Sequence, residues 1–218
     1  MKKICVFIFS FIVFVPMIVQ GQDSTKHFRS LTLVVGLKGP LIHLLDNNRS
    51  TYTAGIDIQF NRNIYFEFSG GLSEYSRNHE LYDYKSEGGF LKAGFKYDFL
   101  KKQKKESKSI TYAGIRFAGS FFEHSAENIS FRESYFNNGI HSTPKESMNA
   151  FWVEIGGGIR AELGKNFMIG WDVSGAILLK KPEYEYIPPK RIAGFGKGES
   201  SFVLDFEYNI AYIIPFYR

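Results

Sequence analysis

Glu123, His124 and Ser125, with Glu127 just beyond and His141-Ser142 further along the same stretch, are the residue types from which a hydrolytic site is built. A serine becomes a nucleophile when a base lies in hydrogen-bond reach and a third group orients that base. Such a set, placed at a membrane rim, would cleave lipid A or phospholipid. Adjacent residues on an extended strand point to opposite faces, so His124 is poorly placed to activate Ser125, and a solvated polar rim is the simpler reading. His43 and His79 stand apart, and no pair of ligands has metal-site spacing. Gly194 to Gly198 invites comparison with a phosphate loop, but it lacks the Walker spacing and no helix follows, so a mobile loop is expected. Neither catalytic residues, cofactor nor metal is therefore assigned.

Cys5 is the single cysteine and stands at the start of an apolar run from Ile4 to Val19 that follows Lys2 and Lys3. The run is interrupted by Pro16, is short for a membrane span, and ends at Val19-Gln20-Gly21. That is the pattern of a signal peptide over residues 1–21, with Gln22 as the mature start. Cys5 leaves with the leader, so neither disulfides nor thiol chemistry are expected. Residues 22–29 read as a short periplasmic segment, and residues 30–218 as the folded unit.

The net charge of +5 loses two lysines with the leader, and most of the remaining basic residues are scattered. Nucleic-acid binding is not indicated. The one basic cluster, Lys101 to Lys108, reads as a solvated turn, although it could also touch anionic lipid.

Any such groups must be positioned by strands, because the chain alternates. In Phe202 to Phe216 the even positions are Phe202, Leu204, Phe206, Tyr208, Ile210, Tyr212, Ile214 and Phe216, while Asp205, Glu207 and Asn209 fall between them. One greasy face and one charged face on a single strand indicate lipid on one side and a polar interior on the other. Eight such strands are predicted: Ser30–Lys38, Thr51–Phe60, Ile64–Glu74, Gly88–Phe99, Ile110–Phe122, Phe151–Leu163, Phe167–Leu179 and Ser201–Tyr217. Short links (61–63, 100–109, 164–166) alternate with long ones (39–50, 75–87, 123–150, 180–200). Short periplasmic turns and long extracellular loops produce that alternation, and an even strand number brings both termini to the periplasm. The fold class is an all-β, eight-stranded antiparallel transmembrane β-barrel of the outer membrane.

The register assigns faces. Facing inward are Asp57, Glu67, Lys92, Lys96, Asp98, Arg116, Glu154, Arg160, Glu162, Asp172, Asp205 and Glu207. Eight strands enclose a lumen that side chains can fill, so these groups should interlock as a luminal ion-pair network that plugs the barrel. Facing lipid, Tyr52, Phe121, Phe151 and Phe202 would form one aromatic girdle, and Phe60, Phe99, Phe167 and Phe216 the other. The aromatic content of 17% suits two girdles. Glycines at 70–71, 88–89 and 156–158 read as relief of crowding where a small barrel bends.

Four segments together resemble a family of Bacteroidota outer-membrane barrels that carries a domain-of-unknown-function label. They are Gly39-Pro40-Leu41-Ile42-His43-Leu44-Leu45-Asp46, Asn61-Arg62-Asn63-Ile64-Tyr65, Lys181-Pro182 with Tyr186-Ile187-Pro188, and the ending Ala211-Tyr212-Ile213-Ile214-Pro215-Phe216-Tyr217-Arg218. The resemblance covers nearly all of the mature chain. It implies fold and location but no activity. Pro189-Lys190 departs from it, since a Gly-Phe is expected after Ile-Pro.

Two functional classes follow. The first is a structural or surface-interaction barrel whose loops, through Phe131, Arg132, Tyr135, Phe136, Tyr184, Tyr186 and Arg191, meet an unidentified protein or glycan partner. It is expected to contact outer-membrane lipid and lipopolysaccharide, and the barrel-assembly machinery through its last strand. The second is a lipid-modifying enzyme of the outer leaflet. An accessory barrel of a secretion or transport assembly is a third. The non-enzymatic reading is preferred.

Overall fold

The computed structural model describes residues 29–79, 82–100, 108–129 and 142–216. The expected leader over residues 1–21, nearly all of segment 22–29 and most of the lysine run lie outside the described residues. Eight strands close into a barrel: β1 (Arg29–Gly36), β2 (Arg49–Gln59), β3 (Ile64–His79), β4 (Tyr82–Asp98), β5 (Ile110–Glu127), β6 (Glu146–Gly164), β7 (Phe167–Lys180) and β10 (Phe202–Phe216). Each pairs antiparallel with its sequence neighbour, and β1 closes the sheet against β10. Two short strands, β8 (Arg191–Ile192) and β9 (Gly196–Lys197), form a small hairpin in the last long link. A helix, α1 (Lys38–Leu45), follows β1.

Alternation explains the barrel. On β7 every second residue from Phe167 to Ile177 faces out, while Met168, Asp172, Ser174 and Ala176 are buried. The outer face is a continuous apolar belt that includes Leu91, Phe117, Ile155 and Leu204, all at least 60% exposed, which no soluble sheet of this size would present to water. Tyr52, Phe121, Phe151 and Phe202 lie exposed toward one edge of the belt, and Phe60, Phe99 and Phe167 toward the other. The protein is a transmembrane β-barrel.

The turns follow from their residues. Lys165 and Asn166 make a two-residue link between Gly164 and Phe167, and Asn166 takes the positive φ (71°) that such hairpins require. Between β2 and β3, Asn61 Oδ1 accepts the Arg62 N–H at 2.7 Å, and Phe60 N donates to the Ile64 carbonyl at 2.9 Å. The glycines relieve close approaches between strands. A Cβ at Gly71 would stand 2.0 Å from the Tyr52 carbonyl oxygen, and one at Gly156 would stand 2.4 Å from that of Val173.

The end carrying the long links departs from simple loops in three ways. First, β3 to β6 run 16 to 19 residues against 8 for β1, so the four strands stand above the belt as a sheet. Second, the link after β1 is a helix: Pro40 sits in its first turn, where no N–H is needed, and Gly39 lets it lie against β2, since a Cβ there would meet the Thr51 carbonyl oxygen. Third, the stretch read as a mobile glycine loop is folded. Gly194 (φ 75°) packs on Phe90, and Ile192, Ala193 and Phe195 are buried. Pro189 is buried as well, with its carbonyl against Gly198, which is where the family resemblance departs.

Candidate functional site

Inside the barrel the inward rows make three layers. At the end carrying the short turns, Tyr65, Ile110, Tyr112, Met168, Ala211 and Ile213 form an apolar floor. Toward the other end, Ile192, Ala193 and Phe195 of the β8–β9 hairpin pack on Phe90, Phe122, Trp152 and their neighbours from β4 to β7, with the Trp152 and Phe195 ring centroids 5.6 Å apart. Between them lies a polar layer.

That layer connects seven strands. Asp57 on β2 takes Lys96 Nζ at 3.1 and 3.2 Å and also bonds Arg160 Nη1. Glu67 on β3 has Lys96 Nζ at 3.2 Å and Arg116 Nη1 at 3.5 Å. Glu154 on β6 receives Lys92 Nζ at 2.7 Å and Trp152 Nε1 at 2.8 Å, with Arg116 Nε 3.0 Å away. Arg160 Nε donates to Asn209 Oδ1 at 3.1 Å, Asn209 Nδ2 donates to Asp172 Oδ2 at 2.6 Å, and the Tyr112 hydroxyl closes onto the same carboxylate. The cations also lie over the Tyr112 ring, Lys96 at 4.9 Å and Arg160 at 5.4 Å from its centroid. Burial this deep is sustained only because each charge faces an opposite one or several hydrogen-bond partners.

Among the inward residues, Asp57, Glu67, Lys92, Lys96, Arg116, Glu154, Arg160 and Asp172 come together in this layer. Four others stand apart. Asp98 accepts the backbone N–H groups of Leu100 and Thr111 at the turn end (3.0 and 3.1 Å). Glu162 meets Lys108, whose Nζ is 3.9 Å away. Asp205 bonds the Lys38 ammonium, and Glu207 accepts the Lys38 backbone N–H at 3.1 Å. Lys38 carried no role in the alternation pattern, where it read as the end of a strand; it is instead the first residue of α1.

Beside the hairpin, on the side of β1, β2, β3 and β10, the lumen opens into a cavity of about 440 Å³ above the polar layer. Arg191 lines it, with its guanidinium 5.2 Å from the Tyr75 ring centroid. Tyr184 and Tyr186 are exposed on the link ahead of β8. Phe131, Arg132, Tyr135, Phe136 and His141 lie outside the described residues.

Among the described residues the hydrolytic set is not assembled. His124 is buried on the inner face above the belt, 3.6 Å from Glu146 Oε2 and beside Tyr84, with ring centroids 5.8 Å apart. His43 Nδ1 instead lies 3.1 Å from Ser50 Oγ, a pair separated in sequence, but among the described residues no carboxylate within 4 Å orients that histidine. Nor do the described residues hold any group of three potential metal ligands or any helix long and apolar enough to cross a membrane.

Burial holds the His124 imidazole below its ordinary range, opposed by the Glu146 carboxylate. In the unfolded chain it would take a proton near pH 6.5, whereas in the fold it resists until lower pH. The stability it contributes is therefore complete above about pH 6.5 and is lost as pH falls through the folded value. Hydrogen exchange over residues 122–126, corrected for intrinsic rates, should accelerate between pH 7.5 and 5. His124→Gln should remove that dependence.

No curated protein sequence matches the chain. Among solved structures, a major outer membrane protein from Thermus thermophilus is similar at 10% identity with a TM-score of 0.53, covering 86% of this chain and 98% of that one. Ail, the attachment invasion locus protein of Yersinia pestis, aligns at 10% identity and a TM-score of 0.44 over 87% of this chain and 100% of its own. The Thermus likeness is one of fold. The sequence itself matches the family described as Domain of unknown function (DUF6048) from residue 1 to residue 218, and the chain belongs to that family.

Proposed function

We propose that this protein is a small outer-membrane barrel with a closed lumen, acting at the cell surface through its long-link end rather than as a channel or an enzyme. The polar layer carries this reading: Asp57, Glu67, Lys96, Arg116, Glu154 and Arg160 span the interior within ion-pair distances, above an apolar floor. Ions would have to break those contacts to cross. The outer-membrane location rests on the belt with its aromatic edges, on the leader-like residues 1–21, and on a fold shared with an outer membrane protein. In this orientation the termini and short turns are periplasmic, and the sheet of β3 to β6 stands outside the cell. A Bacteroidota source belongs to the same reading through the family resemblance.

The surface role rests on exposed Tyr184 and Tyr186, rigid aromatic anchors of the kind that dominate recognition, beside the raised sheet. Lipopolysaccharide, the barrel-assembly machinery at β10 and a protein or glycan partner are its proposed contacts. The link over residues 180–200 is not freely replaceable, because its hairpin fills the barrel. Point changes therefore test the idea. Pure protein in planar bilayers should give no stable single-channel steps, and reproducible steps would refute the closed lumen. Photo-crosslinkers at Tyr184 and Tyr186 in intact cells should capture a surface component. Tyr184→Ala with Tyr186→Ala should abolish that capture while the folded band on an unheated gel persists. Capture that survives both changes would remove these residues from the contact.

A further inference from the structure

Two arginines in the cavity above the polar layer have no acidic partner among the described residues. Arg49 begins β2 opposite Tyr75 on β3, and Arg191 lies over the ring of that same tyrosine. Both line the cavity. Among the described residues neither has a carboxylate within 4 Å. Asp46 reaches them only through its longer-range field. Among the other cations lining the cavity, Lys38 pairs with Asp205, Lys92 with Glu154, Arg116 with Glu67 and Glu154, and Arg160 with Asp57, and only Lys197, like the two arginines, has no carboxylate within 4 Å among the described residues.

The backbone around Arg191 is held there by contacts that do not depend on its charge. The Arg191 carbonyl accepts Ser86 Oγ at 3.2 Å, Lys190 N donates to the Tyr84 hydroxyl at 3.0 Å, and Ile192 next in sequence is buried. The pair also carries an electrostatic cost. Burial, and then the charge of Arg49, pull the Arg191 guanidinium down to about 10. Two neighbouring guanidiniums relieve that cost by accepting an anion, and their planar forks fit a carboxylate or a phosphate group.

The space is larger than such a group. A cavity of about 440 Å³ falls in the range of small-molecule sites. Its walls carry hydroxyls from Thr51, Thr53, Ser69 and Ser73, and Phe90 and Phe195 give an aromatic surface. Hydroxyls beside an aromatic wall suit a polyhydroxylated ring. We propose that this cavity binds a sugar-sized anion, a phosphorylated or carboxylated monosaccharide, with Arg49 and Arg191 as the receptor for its charged group.

The test is isothermal titration of the full barrel, folded in detergent at low salt, with glucose 6-phosphate, glucuronate, inorganic phosphate and glucose. At least one of the two sugar anions should bind saturably, about tenfold or more tighter than inorganic phosphate, with no detectable binding of glucose up to about 10 mM. Arg49→Gln and Arg191→Gln should each weaken that binding tenfold or more, and raised salt should weaken it further. Four results would overturn the proposal: no saturable heat with either sugar anion, glucose binding as well as the anions, inorganic phosphate binding as well as both, or a variant that keeps wild-type affinity. If Arg191→Gln loses the folded gel band, Arg49→Gln decides, because Arg49 takes no part in seating the hairpin.

Discussion

Replacing Arg160 by Leu should cost the barrel about 3 kcal/mol, the lower end of the range for breaking a buried ion pair. Arg160 is 2% exposed and its partner Asp57 is equally buried, so the carboxylate cannot turn to water. Lys96 stays beside Asp57, but it also serves Glu67 at 3.2 Å and cannot fully neutralise both. Asn209 loses its Nε donor as well, which loosens its hold on Asp172. Adding Asp57→Asn to the Arg160→Leu barrel should recover about half of the loss, because the stranded charge disappears while the polar shape remains. Urea unfolding of the barrel in lipid vesicles, followed by the heat-dependent gel shift, measures both. A single-variant loss below about 1 kcal/mol would mean that Lys96 alone compensates Asp57.

That pairing marks the limit of what alternation can tell. The period-two pattern places Asp57 and Arg160 on the inner face, but they are 103 residues apart in sequence, and only the stagger of the closed sheet brings them together. Strand identity was legible for the same reason that pairing was not, since each strand reports only which side is lipid. β7 and β10 lie within a residue or two of the segments from Phe167 and from Ser201 because their outer rows stay apolar throughout. β3 to β6 outrun the pattern. Beyond Leu72 the outer row turns to Glu74 and Ser76, which face water, while Tyr75, Tyr84 and His124 continue inward, so the apolar signal changes sides and reads as a loop. The helix after β1 has eight residues, too few for a period to declare itself, and its place is set by Gly39 against Thr51. The hairpin at Arg191 to Lys197 showed a glycine-rich string. Its burial depends on the gap left beside Phe90 and Trp152, which no local pattern records.

The lipid-facing row makes the second large prediction. Val173 lies midway along the outer face of β7, paired with Phe206 on β10 and Gly157 on β6. It is 42% exposed, and Trp171 stacks on Phe206 beside it at 5.6 Å between centroids. Val173→Arg puts a guanidinium at the middle of the apolar belt, where such a charge costs about 2–4 kcal/mol in a β-barrel. The same substitution at Leu179, nearer the belt's edge, should cost about 1 kcal/mol or less, because the side chain reaches the headgroups. A soluble sheet would show no such depth dependence, since an exposed valine changed to arginine is nearly neutral in water. The comparison is read as unfolding midpoints of the two variants in vesicles of one lipid composition. Equal midpoints for Val173→Arg and the unaltered barrel would place that face in water rather than lipid, and the transmembrane assignment would fall with it.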